Sequence, residues 1–290
     1  MQAVLQYIAN GLMVGGIYAL IALGIVLVYK STSVFNFAIG QMMMLGAFFL
    51  WTCAEVFHWP IWISLIVAAA GGVGVGILIE RFTLRPLIGQ PLLSAVLATL
   101  ALSYFLNGLS IGIWGSYQER LPNFLPGDNV TLGGVVFSND LLWSFMIAIV
   151  LFIALFVFYQ RTKTGLLMRA TAESHLVAQA RGIKVRNIFS WSWALCGFVA
   201  AVGGMMLAIR LGVSQFISLV GLKAFPAVLF GGLESIPGAV VGGLAVGILE
   251  NLAGGLVAPW MMEVTHYIIL LLVLIFRPEG LFGEKRIERI

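Results

Sequence analysis

Charge is what this chain has least of. Only 10% of its 290 residues are Asp, Glu, Lys or Arg, against roughly a quarter in a soluble domain, while 61% are hydrophobic and the mean hydropathy is +1.04. A water-soluble globule is thereby excluded. Histidine is scarcer still: His58, His175 and His266 stand far apart, with no H-x-x-x-H pair and no clustered cysteines or carboxylates, so no metal site is expected. The two cysteines, Cys53 and Cys196, sit inside apolar runs, where burial as small hydrophobes is expected rather than a disulfide. A phosphate-binding G-x-x-x-x-G-K-[ST] run is absent, so nucleotide hydrolysis is not expected of this chain, and no Ser-His-Asp arrangement can be argued. A secretory signal is also missing by this reading, since no Lys or Arg precedes the first apolar run and no cleavage site follows it. Catalytic residues are therefore expected to be none.

What is present is apolar length. Segments of about 20 residues, enough to cross a bilayer, fall near 7–29, 36–57, 61–80, 92–113, 140–160, 188–211, 236–258 and 263–277. The stretch from Leu219 to Gly232 is apolar but short, broken by Pro226 and carrying Lys223, and reads either as a further crossing or as a re-entrant segment. The fold expected is an all-α polytopic membrane protein with eight to nine transmembrane helices, some short or broken, forming one permease-type domain over 1–290. Glycine pairs at helical spacing, namely Gly11 with Gly15, Gly72 with Gly76, Gly108 with Gly112, Gly238 with Gly242 and Gly243 with Gly247, predict close helix contacts.

Basic residues set the orientation. Lys30, Arg81, Arg85, the tail Lys285, Arg286 and Arg289, and above all the segment 161–187 are expected on the cytoplasmic face, with the N-terminus outside. The loop 114–139, with Glu119 and Asp128 inside it and Asp140 directly after it against Arg120 alone, and with turns at Pro122, Pro126 and Gly133-Gly134, is expected on the extracytoplasmic face. The net charge of +4 thus reports orientation, and no nucleic-acid partner is expected.

Segment 161–187 holds Arg161, Lys163, Arg169, Arg181, Lys184 and Arg186 against the single acid Glu173. From Arg169 the run through Ala170, Ala172 and Ala178 to Gly182 predicts a short, small-faced helix ending at a glycine. Such a helix suits docking into a partner's groove, the alanines permitting close approach and the arginines left to pair with acidic residues on its rim; a plain solvated loop is the alternative. In the spans, Asn36 and Gln41, Asn107, and Glu250 with Asn251 are the polar residues, and polar groups in lipid are functional candidates by default. They are taken as candidate substrate-pathway residues. The alternative is structural: helix-start capping at Asn36 and Gln41, interhelical bonding at Asn107, and an ion pair of Glu250 with Lys223 or Arg210.

Six motifs in order give these observations a frame. Asn10-Gly11-Leu12 with Gly15 and Tyr18-Ala19-Leu20; Asn36-Phe37-Ala38 with Gly40; Glu80-Arg81 with Leu84-Arg85-Pro86-Leu87; Thr164-Gly165, Arg169-Ala170, Ala172, Ala178 and Gly182-Ile183; Gly231-Gly232-Leu233 with Ser235-Ile236-Pro237-Gly238-Ala239 and Glu250-Asn251; and Arg277-Pro278-Glu279-Gly280-Leu281-Phe282-Gly283 together resemble the permease subunits of the branched-chain amino-acid family of ABC importers, specifically the shorter, first type. The resemblance implies that the fourth motif, with Gly165, Arg169, Ala170, Ala172, Glu173, Ala178 and Gly182, is a cytoplasmic coupling helix that docks on an ATPase. It further implies a pathway shared with a second homologous permease, two ATP-binding subunits carrying ATP and Mg with no cofactor in this chain, an extracytoplasmic (periplasmic) solute-binding protein, and a multi-pass location in the bacterial inner membrane. Branched-chain amino acids are the implied solute. Family members often carry His and Glu around the second-span glycine, where this chain has Ile39 and Gln41, so urea, amides and aromatic or other organic acids remain the alternative within the family. A stand-alone secondary transporter or channel is the more distant alternative, and would need ion relays that only Glu250 suggests.

Overall fold

The computed structural model describes residues 2–121, 124–125 and 127–283. The tail residues Lys285, Arg286 and Arg289 and the turn residues Pro122 and Pro126 lie outside the described residues. The apolar runs become helices: α1 (Gln2–Thr32), α2 (Ile39–Trp51), α3 (Ile61–Ile79), α4 (Leu92–Trp114), α5 (Asn139–Arg161), α6 (Lys163–Glu173), α7 (His175–Ala180), α8 (Val185–Leu211), α9 (Ile217–Leu222), α10 (Ala224–Gly231), α11 (Ile236–Leu256) and α12 (Met261–Phe276). Two π turns, Thr52–Val56 and Glu80–Leu84, extend α2 and α3. Among the described residues seven helical stretches are long and apolar enough to cross a membrane, and two apolar stretches, Ile217–Gly231 and Met261–Phe276, are shorter. The protein is thus an all-α, multi-pass membrane protein whose short and broken pieces fall where the sequence is interrupted. The difficult stretch resolves as α9 and α10, which meet at Lys223, with Pro226 in the first turn of α10 where its missing N–H is not needed.

Contacts divide the chain into two units. One takes residues 27–124 and 153–222 and so holds α2, α3, α4, α6, α7, α8 and α9. Its core is Met42, Met43, Phe48, Trp193, Cys196 and Ala200, all nearly inaccessible. Backbones meet here because side chains are missing: a Cβ on Gly72 or Gly76 would collide with α8 at Gly197 or Trp193, and one on Gly46 with Ala201. At one end of this unit Trp114 stacks on Phe48 at 5.0 Å and donates through Nε1 to Thr52 Oγ1 at 2.7 Å. At that end the segment after α4 pairs with the segment after α8, Glu119 against Val213.

The other unit takes residues 1–26, 125–152 and everything from Lys223 on. Here Gly11 and Gly15 of α1 lie against Gly247 and Gly243 of α11, and Gly242 against Ala227 of α10. Its loop contains a hairpin the sequence reading did not anticipate, Val130–Leu132 (β1) with Val135–Phe137 (β2). The two residues between them, Gly133 and Gly134, have φ of 59° and 82°, as the tight two-residue hairpin turn requires. Gln6 binds this hairpin's edge, its Oε1 accepting from Val136 N at 2.8 Å.

The glycine expectation needs one correction. Gly108 and Gly112 of α4 have no atom within 4 Å of the place a Cβ would occupy. Among the described residues they mediate no helix contact.

Candidate functional site

The segment between α5 and α8 is built by local capping. Thr162 caps α6, its Oγ1 accepting from Gly165 N at 3.0 Å. A Cβ at Gly165 would run into the Tyr159 and Phe158 carbonyls, so glycine is needed for α6 to fold back on α5. The single helix expected over 169–182 is in fact two, because Ser174 leaves helical geometry (φ −162°, ψ 118°) and caps α7 by accepting from Val177 N at 3.3 Å. The end at glycine is as expected: Gly182 has φ 79°, Gly182 N donates to Gln179 O at 2.9 Å, and Ile183 N donates to Ala178 O at 3.0 Å. That is the paired 5→2 and 6→1 pattern of a helix stop, with Ile183 packed on the Ala178 cluster as its apolar seal.

Which side faces out is the reverse of the expected one. Ala178 is buried against Val185 and Phe189, Gly165 is buried, and Ala170 and Ala172 are half-buried. The outward residues of α7 are Leu176, 80% exposed, and Val177, 60% exposed, together with Gln179 and Ala180. Arg169 is also committed inward: its guanidinium donates to the Tyr159 and Gln160 carbonyls and lies 5.5 Å from the Tyr159 ring centroid. It satisfies carbonyls left open at the end of α5 rather than waiting for a partner's acid. Glu173, Arg181, Gly182, Lys184 and Arg186 do face solvent. Leu176 and Val177 were missed by reading for small residues, although two adjacent large apolar residues in so polar a segment are themselves a signal.

The segment is tied to the membrane helices. His175, at the start of α7, places Nε2 3.0 Å from the Ser31 carbonyl at the end of α1 and sets its ring 5.4 Å from Phe189. Ser31 Oγ in turn accepts from Ser192 Oγ of α8 at 2.7 Å. His175 thus joins α7 to the end of α1, and the Ser31–Ser192 hydroxyl pair joins that end to α8.

The candidate pathway residues are not gathered into one site. Asn36 is fully buried; its Oδ1 accepts from Ala38 N at 3.1 Å and its Nδ2 faces Met42 Sδ at 3.3 Å and Cys196 Sγ at 3.5 Å. It shapes the turn into α2. Gln41, also on α2, keeps a buried Oε1 without a partner among the described residues. Asn107 is half-buried on α4. In the other unit Glu250 is buried and takes Lys223 Nζ at 3.2 Å, while Lys223 also reaches Glu263 at 2.9 Å. The ion-pair alternative for Glu250 is thus realised with Lys223, and a buried charge in lipid needs such a partner. Asn251 donates back to the Gly247 carbonyl at 2.9 Å.

Comparison with known proteins supplies the context. The family described as branched-chain amino acid transport system, permease component, matches residues 7–276. The chain is 31% identical over 300 residues to the high-affinity branched-chain amino acid transport system permease protein BraD of Pseudomonas aeruginosa, covering 99% of this chain and 98% of that one. To the corresponding protein LivH of Escherichia coli it is 30% identical, covering 99% and 97%. A solved metal-chelate type ABC transporter in an inward-facing conformation superposes with a TM-score of 0.51 at 20% identity, over 94% of this chain and 85% of that one, a likeness of fold alone.

Proposed function

Because this chain belongs to the branched-chain amino acid transport system permease family, we propose that it forms half of the translocation pathway of an ABC importer for branched-chain amino acids in the bacterial inner membrane. A second, homologous permease supplies the other half. Two ATP-binding subunits carry ATP and Mg, and an extracytoplasmic binding protein delivers the solute.

The observation that carries the reading is α7. It is a short helix outside the spans, fixed by Ser174 at one end and Gly182 at the other, presenting Leu176 and Val177 outward and bonded through His175 to the end of α1. A solvated loop has no reason to expose two adjacent large apolar side chains at the start of a capped helix. A groove on an ATPase that receives this knob, with Arg181 and Lys184 at its rim, turns a motion of that subunit into a motion of α1 and α8.

The test is to purify the tagged chain in mild detergent from its native membrane and weigh the assembly by native mass spectrometry. Two ATP-binding subunits and a second permease are expected, and ATP-driven uptake of L-leucine should follow once the binding protein is added to proteoliposomes. Recovery as a homo-oligomer with no ATPase sinks the importer reading. Uptake of urea or an aromatic acid in place of leucine keeps the machine and changes the solute.

A further inference from the structure

The two ends of α7 do different things. At its end Gly182 and Ile183 stop the helix, and Ala178 seats it on Val185 and Phe189 of α8. At its start His175 reaches out of the segment. Its Nε2 lies 3.0 Å from the Ser31 carbonyl; a carbonyl only accepts, so Nε2 carries the proton. Among the described residues this is the one hydrogen bond from a side chain of α7 to a membrane-spanning helix. The Ser31 carbonyl is among the last of α1 (Gln2–Thr32), which a helix cannot satisfy from within. The end of α1 is thus capped from α7.

Beyond that cap lies the connection into α2, residues 33–38, and it is held at successive points. Ser33 has φ 56°, a conformation that a non-glycine residue keeps only where its surroundings impose it, and its N–H donates to the Tyr29 carbonyl at 2.7 Å. Val34 N donates to Thr32 Oγ1 at 3.3 Å, and the Phe35 carbonyl accepts from Thr99 Oγ1 of α4 at 3.1 Å. Asn36, fully buried, accepts from Ala38 N at 3.1 Å where α2 begins, and Gln41 follows in the first turn of α2. Ser33 is the residue suited to absorb a change at Ser31. Leaving the left-handed region relieves its backbone and re-aims the residues after it, as hinge residues at the ends of elements do.

We propose that His175 is a positioning residue of the transport cycle: by capping α1 it holds Ser33 left-handed, and so ties the docked state of α7 to the placement of Asn36 and Gln41. The inference rests on the importer reading for the partner that docks; the route it assigns lies in this chain. A role confined to seating α7 is separable from this one, because phenylalanine at position 175 keeps a ring against Phe189, now 5.4 Å from the imidazole, and removes only the N–H.

The experiment is amide hydrogen exchange over residues 31–38 in the complete assembly, with and without ATP, in wild type, His175→Phe and His175→Gln. In wild type, ATP is expected to change exchange at Ser33 and Val34. In His175→Phe the ATP-binding subunits are expected to remain bound while that change vanishes, and L-leucine taken up per ATP hydrolysed is expected to fall about tenfold, within the usual range of coupling between two sites. His175→Gln, whose amide nitrogen can donate to the same carbonyl, is expected to restore most of both. An ATP-dependent change that persists in His175→Phe, or is absent in wild type, overturns the proposal. So does a His175→Gln assembly no better than His175→Phe, and so does loss of the ATP-binding subunits from His175→Phe, which would make the residue a seat for α7. The exchange measurement needs no solute, so a change of solute leaves it decisive. Failure of the importer reading shows separately, in a wild-type assembly without ATP-binding subunits, and overturns both.

Discussion

On α3, Gly72 and Gly76 are pressed onto α8, with no room for a Cβ at either position. On α4, Gly108 and Gly112 have the same spacing, and beyond their own helix no atom of the described residues stands within 4 Å of a Cβ built there. The same sequence signature therefore marks a packed seam in one helix and an open face in the next. Spacing of small residues states that a backbone can be approached; it does not state that anything within the chain approaches it. The segment between α5 and α8 repeats the lesson. Its small residue Ala178 is buried, and its large apolar residue Leu176 is 80% exposed.

The largest effect is expected at the packed seam. Gly76→Leu sets a side chain against the Trp193 carbonyl and the body of α8, and forced overpacking of a close-packed interior costs about 1–3 kcal/mol and occasionally more. Because backbone rather than a flexible side chain stands in the way, the upper part of that range is expected. Thermal unfolding of the detergent-purified chain, followed by size-exclusion chromatography, should show a drop of several degrees or no monodisperse peak at all. A Gly76→Leu chain as stable as wild type would mean that α3 and α8 are not in contact as described.

An intermediate effect is expected on α7, where the comparison can be made between two residues of one short helix. Leu176→Asp leaves the helix and its two caps intact and changes only an outward side chain; exposed anchors of this kind typically contribute about 2 kcal/mol or more to a docked interface when truncated. Insertion and stability of the chain should be unchanged while ATP-driven uptake falls at least tenfold and ATPase subunits are lost on purification. Ala178→Leu, two residues on, on the opposite side of the helix and buried on Val185 and Phe189, should instead lower the stability of the chain itself. If the two variants behave alike, the inward and outward faces of α7 have been assigned wrongly.

Much of the architecture was legible beforehand, because in lipid an apolar run of sufficient length has one structural outcome. The runs at 92–113 and 140–160 correspond to α4 and α5 within a few residues. What was not legible has particular causes. Ser174 ends one helix and starts another, yet a serine in a polar segment is equally at home in a helix turn. The hairpin at Gly133-Gly134 was hidden by the expectation of an all-helical chain, although Val-Thr-Leu-Gly-Gly-Val-Val-Phe is a strong local hairpin signal. Among the pathway candidates, Asn36 is engaged with its own turn and with two sulfurs, and Glu250 with Lys223. A polar residue in a span announces that something must satisfy it; whether that is a neighbour or a solute is decided by residues far away in sequence. The inverted face of α7 has the same origin. In the spans small residues mark contact between helices, whereas at a docking surface outside the membrane contact is made by the large ones.

The smallest effect sharpens the comparison most. Gly108→Leu should leave the stability of the isolated chain within about 0.5 kcal/mol of wild type, as for other substitutions that touch nothing, because the added side chain enters open space. The same variant in the whole importer separates two environments for this face of α4. Acyl chains accommodate a leucine without loss, so lipid there predicts unchanged assembly. A neighbouring helix of the second permease does not, since a small-x-x-x-small face against another backbone loses its close approach when one glycine is filled. Native mass spectrometry of the Gly108→Leu assembly reads the difference directly: loss of the second permease alone, with the proposed ATP-binding subunits retained, assigns the open glycines to the seam between subunits, and an intact assembly assigns them to lipid.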